Sequence, residues 1–134
     1  MGLTSPVLAG SAGLKRGEAF RPPGATVSFG SIYPAQKFDK AKYVKADLSR
    51  TGHMSVELLC LEPGQAQSVH SHDAADSLYY VVEGVATMTV GKETTEMGPG
   101  AFAVAKAGDP HGVANKGRDR LTVVLVASPP HPKK

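Results

Sequence analysis

The segment VHSHDAADSLYYVVEG, Val69 to Gly84, places His70 and His72 two residues apart, just ahead of a β-branched and aromatic run. On extended backbone, side chains at i and i+2 leave the same face, so both imidazoles can reach one ion. Imidazole nitrogen suits zinc, copper, iron and nickel. The competing reading is a polar turn carrying two surface histidines, and the pair alone does not decide between them. A metal that performs chemistry is held by about three protein ligands, with a position left for water or substrate. A third ligand must therefore come from elsewhere. Of the other three histidines, His53 follows a Thr–Gly turn and His131 sits among prolines, and both read as surface residues.

The elements that would position such a site are strands. HMSVELLCLE, SLYYVVE, VATMTV, FAVAKA and LTVVLVA are short runs rich in Val, Leu, Tyr and Thr, each bounded by Gly, Pro, Asp or Asn. Within VATMTV, Ala86, Met88 and Val90 alternate with Val85, Thr87 and Thr89, which predicts one dry face. No stretch carries helical periodicity over ten residues. Many short strands without helices predict an all-β sandwich or barrel. Residues 1–34, rich in Gly, Ala, Ser and Pro, read as an arm with one short strand over ATVSFGSI; residues 35–128 read as the barrel. Residues 129–134, PPHPKK, read as a disordered proline-rich tail.

At 134 residues the chain fits one domain with a real core. Its longest apolar runs fall far short of the ~20 residues of a membrane helix, so no membrane partner is expected. Lys15 and Arg16 follow the weakly apolar N-terminal stretch, the reverse of an export signal, and the single cysteine, Cys60, suits a reducing cytoplasm. The net charge of +3 invites a nucleic-acid reading. The basic residues before position 51 are interrupted by Asp39 and Asp47, and no recognition module accompanies them, so they read as a solvated face and no nucleic-acid partner is expected.

The segment Gly100 to Asn115, GAFAVAKAGDPHGVAN, resembles the second motif of the cupin family, G(X)5PXG(X)2H(X)3N. Gly100, Gly108, His111 and Asn115 fall on it, Lys106 replaces its proline, and Asn115 is the only asparagine of the chain. The first cupin motif, G(X)5HXH(X)3,4E(X)6G, is matched by Gly64, His70, His72 and Gly84. The resemblance, spanning about Met54 to Ala127, implies a double-stranded β-helix, a jelly-roll-like barrel. It implies His70, His72 and His111 as ligands of one divalent transition metal (iron, manganese, nickel or zinc), with His111 opposite the pair. It also implies a small-molecule ligand and a homodimer, to which the arm could contribute a swapped strand. Glycines at 64, 84, 100 and 108 suit the tight turns of such a barrel.

The motif's glutamate ligand is missing. Counting back seven from Gly84 puts Ser77 in its place; counting four forward from His72 puts Asp76 there. One residue reverses the face of a strand side chain, and the count from Gly84 turns Ser77 inward and Asp76 outward. By the same parity Tyr79, not Tyr80, faces in. Three neutral histidines leave the ion's full charge and favour an anionic substrate. The resemblance implies a metal-dependent enzyme of the oxygenase or isomerase type; the alternative is a non-catalytic binding or sensor module. No residue stands out as a general base, so the catalytic residues stay open. Cys60 reads as core, and Lys106 and Glu83 as exposed.

Overall fold

In the computed structural model, which describes residues 28–132, the apolar runs become strands of two antiparallel sheets. After a 3-10 turn at Tyr33–Ala35 come β1 (Val44–Arg50), β2 (Ser55–Leu61), β3 (Ala66–His70), β4 (Asp76–Glu83), β5 (Ala86–Val90), β6 (Glu93–Met97), β7 (Phe102–Ala105), β8 (His111–Ala114) and β9 (Leu121–Ser128). The larger sheet runs β1-β2-β9-β4-β7 and the smaller β3-β8-β5-β6. The fold is the double-stranded β-helix.

Alternation builds the interior. On β4, Ser77, Tyr79 and Val81 are buried while Asp76 and Tyr80 are exposed. Strand register then sets these residues in rows across the larger sheet: Ser55–Ala127–Ser77–Ala105, Glu57–Leu125–Tyr79–Ala103, Leu59–Val123–Val81, and Leu61–Leu121. The last two rows are wholly apolar and pack with Ala86, Met88, Met97 and Val113 of the smaller sheet. The first two carry the polar side chains. One end of the barrel is therefore a sealed hydrophobic core and the other a polar chamber. Met88 and Ala86 line the interior as their alternation predicts, with Val90 partly buried beside them.

The apolar run of β2 is buried on both faces. Leu59 and Leu61 face the interior, whereas Leu58 and Cys60 lie under Ile32, Ala35 and Phe38 on the outside of the sheet. Burial raises the Cys60 thiol above its ordinary pKa, in keeping with a packing role. Gly64, Gly84, Gly100 and Gly108 all turn with positive φ, between 85° and 92°. At Gly84 a side chain would also strike the Arg120 carbonyl oxygen, so that turn requires glycine twice over.

Three expectations need correction. Of ATVSFGSI, the described part, residues 28–32, is irregular chain leading into the 3-10 turn; the rest lies outside the described residues. A bulge between Val81 and Glu83 turns Glu83 to the outer face, where it is half-buried and accepts a hydrogen bond from Gln36 Nε2 at 3.1 Å. The described part of the proline tail, residues 129–132, leaves regular structure but not the protein: His131 is only 5% exposed.

Candidate metal centre

His70 ends β3, His72 follows two residues on in the link to β4, and His111 opens β8. His70 and His111 are direct cross-strand partners, so His111 adjoins the pair rather than facing it across the barrel. Their meeting depends on a bulge: the β3–β8 register shifts between Gln67 and His70, crowding the β3 backbone against Gly112. A Cβ at Gly112 would stand 2.8 Å from the Gln67 carbonyl oxygen and 3.0 Å from Val69 Cα. Only glycine lets β3 approach closely enough to set His70 beside His111.

The three rings converge. Their centroids lie 4.8 Å (His70–His72), 4.5 Å (His70–His111) and 5.7 Å (His72–His111) apart, and one nitrogen from each falls within 4.8 Å of the others. Two of the rings are oriented by backbone carbonyls two residues earlier: His70 Nδ1 bonds Ser68 O at 2.7 Å and His111 Nδ1 bonds Asp109 O at 2.8 Å. A carbonyl only accepts, so each Nδ1 carries the proton and each Nε2 keeps its lone pair. Nε2 of His111 is buried with no hydrogen-bond partner. An orphaned buried acceptor of this kind calls for a ligand, and a carbonyl behind each imidazole is the usual outer support of a metal site.

The electrostatics point the same way. Burial, then the neighbouring His131, His70 and His111, push the His72 pKa down from 6.5 to about 4. Burial likewise lowers that of His111. Both rings are neutral at pH 7, the state in which imidazole ligates metal. Tyr79, fully buried below them, donates to Gln67 Oε1 at 2.7 Å and presents its ring edge to His111. Burial pushes its phenol pKa up, so it stays a neutral packing group.

Ser77 faces in and is buried, as the count from Gly84 indicates; Asp76 faces out and accepts from the Ala107 amide at 2.8 Å. Lys106 and His53 are exposed, as expected. Asn115 belongs to the far end of the barrel, where its Nδ2 donates to the Leu61 and Asp119 carbonyls and its Oδ1 accepts from the Gly117 amide. Its role is to staple the closed end.

Two residues of the chamber escaped the sequence reading. His131 is no surface residue: it stacks on His72 with centroids 4.3 Å apart and planes at 27°. Its Nε2 lies 3.3 Å from Ser77 Oγ and its Nδ1 3.4 Å from Glu57 Oε1. Glu57 is 2% exposed, with Lys45 Nζ 3.8 Å from its other oxygen. Burial opposes its charge, but the His131 hydrogen bond and Lys45 hold its carboxyl below the ordinary range. A cavity of about 390 Å³ opens beside the histidines, with Tyr43, Lys45, Gln67 and His131 in its wall. Glu57 had a signal in the sequence, a charge sharing the parity of Leu59 and Leu61 in an apolar strand.

Comparison with known proteins agrees with this fold. The family described as "Cupin domain" matches residues 57–127. The uncharacterised protein SCO3923 of Streptomyces coelicolor is 41% identical over 81 residues, 60% of this chain and 75% of that one. The crystal structure of TT1209 from Thermus thermophilus superposes with a TM-score of 0.75 at 32% identity, covering 78% of this chain and 100% of that one. A Klebsiella pneumoniae protein with a double-stranded β-helix domain gives a TM-score of 0.72 at 24% identity, over 77% and 90% of the two chains.

Proposed function

The chain belongs to the cupin family, and on that premise we propose that it is a metal-dependent enzyme, of the oxygenase or isomerase type, acting on a small anionic organic molecule. The observation that carries the reading is the buried, partnerless Nε2 of His111, held by its Asp109 bond within reach of the nitrogens of His70 and His72. Bound there, a divalent iron, manganese, nickel or zinc ion would supply Lewis-acid polarisation of a substrate oxygen or, for iron, redox chemistry with oxygen. Neutral imidazoles leave the charge of such an ion uncompensated, while Lys45 at the cavity wall is balanced by Glu57. The uncompensated ion favours a carboxylate, enolate or thiolate in a chamber of about 390 Å³. The apolar rows beneath exclude water from one side.

A second reading, a non-catalytic metal or small-molecule sensor, rests on Glu57. It is the buried acidic side chain among the described residues, and its oxygens are already engaged by His131 and Lys45. A homodimer belongs to the proposal as well, with Phe102 (64% exposed) and Val104 (52%) giving β7 an apolar outer face; a monomer in light scattering would remove that part.

The test is elemental analysis of untagged protein purified without chelators, beside a His70→Ala, His72→Ala double variant. Near-stoichiometric metal in the wild type and its loss in the variant are expected. No metal in either, with none taken up on titration, would defeat the reading.

A further inference from the structure

The supports of the three histidines are unequal. His70 and His111 each lean on a backbone carbonyl, through bonds of 2.7 and 2.8 Å. Among the described residues, the His72 ring forms no hydrogen bond. What meets it face to face is His131, at 4.3 Å and 27°. His131 is in turn held from every side. Its amide donates to Ser55 Oγ at 3.1 Å, and its carbonyl accepts from Arg50 Nη1 at 2.7 Å. Its ring spans Ser77 Oγ and Glu57 Oε1. With the carboxylate accepting, Nδ1 carries the proton and Nε2 accepts from the Ser77 hydroxyl. The nitrogens of His131 do not join the converging group, which consists of His70, His72 and His111.

We propose that His131 is a positioning residue of the metal centre: delivered by the C-terminal proline segment and moored on Ser77, where the family motif has its glutamate, it fixes the plane of His72 by stacking. The segment after β9 is thereby a wall of the site. The inference rests on the metal reading above and deepens it. A ring pinned in one plane loses less freedom when it ligates, so removing the support lowers metal affinity without removing a ligand.

The experiment compares cobalt(II) titrations of the wild type, H131A, H131F and H72A, reading the dissociation constant and the visible spectrum, with thermal melts of the metal-free proteins as a folding control. H131A is expected to bind about 10- to 100-fold more weakly, the range for loss of an outer support, with a shifted spectrum. H131F keeps a stacking ring and is expected to recover most of the affinity; it also decides the matter should H131A not fold. If the wild type and H131A bind alike while H72A does not bind, this inference fails and the metal reading stands. An H131F protein as impaired as H131A overturns the stacking assignment. A wild type that takes up no cobalt overturns both.

Discussion

At one end of the barrel Leu59, Val81, Leu121 and Val123 pack together, while at the other the same strands offer Ser55, Glu57 and Ser77 to a cluster of histidines. The backbone rule is identical at both ends; only the side chains in successive rows differ. At the closed end polar groups are paired, as where Asn115 takes up the carbonyls of Leu61 and Asp119. At the open end the His111 Nε2 is buried without a partner. Burying a polar atom unpaired costs about 1–3 kcal/mol, a cost a small domain bears where a ligand is to be bound. The closed end thus carries the apolar packing and the open end the candidate site.

The sharpest separation of the two should come from Leu121→Ala, which empties a fully buried site at the closed end. It is expected to lose about 2–5 kcal/mol in urea unfolding while the folded fraction binds metal as before. Next in size is Gly112→Ala, whose new Cβ would press on the β3 backbone. About 1–3 kcal/mol of stability should be lost to overpacking, and metal affinity with it, because β3 carries His70. A variant that lost stability alone would show that the bulge does not set the site.

Acid should act on the open end. With His72 at about 4 in the folded protein against 6.5 ordinarily, the unfolded chain binds more protons in that window, so stability rises with pH there. The metal-free protein should lose stability as pH falls from 6.5 towards 4, and His111, also lowered, adds in the same direction. Urea midpoints at pH 7 and pH 5 measure it, and His72→Gln should flatten the difference. The smallest effect belongs to Asp76→Asn. Its side chain points outward to the Ala107 amide, so stability should change by less than about 0.5 kcal/mol and metal affinity not at all. Loss of metal in this variant would make Asp76 the ligand and reverse the parity of β4.

That parity was legible because Ser77, Tyr79 and Val81 precede the bulge; Glu83, read as exposed, does lie on the outer face beyond it but is half-buried beside Gln36, 47 residues away. The strands read from the sequence were those with an apolar face to bury. Of the others, β1 went unread although Val44, Ala46 and Leu48 alternate and pack over Leu58 and Cys60, because charged residues stand between them; ETTEM of β6 is a largely exposed edge held by pairing to β5, and AQSVH of β3 and HGVA of β8 are short, with a bulge in their pairing. The histidine pair was readable from its spacing, and its third member from the resemblance of Gly100 to Asn115 to the cupin motif. His131 was not, since prolines forbid regular structure without saying where the chain goes, and its burial depends on Ser55, Arg50 and Glu57, more than 70 residues away.

The most direct test of the central claim is a calorimetric titration of zinc into metal-free wild-type protein and His111→Ala. Uptake of about one ion per chain by the wild type, and its loss in the variant with the fold intact, is the predicted result. Equal binding by both proteins, or none by the wild type, would contradict the assignment of these three imidazoles to a metal.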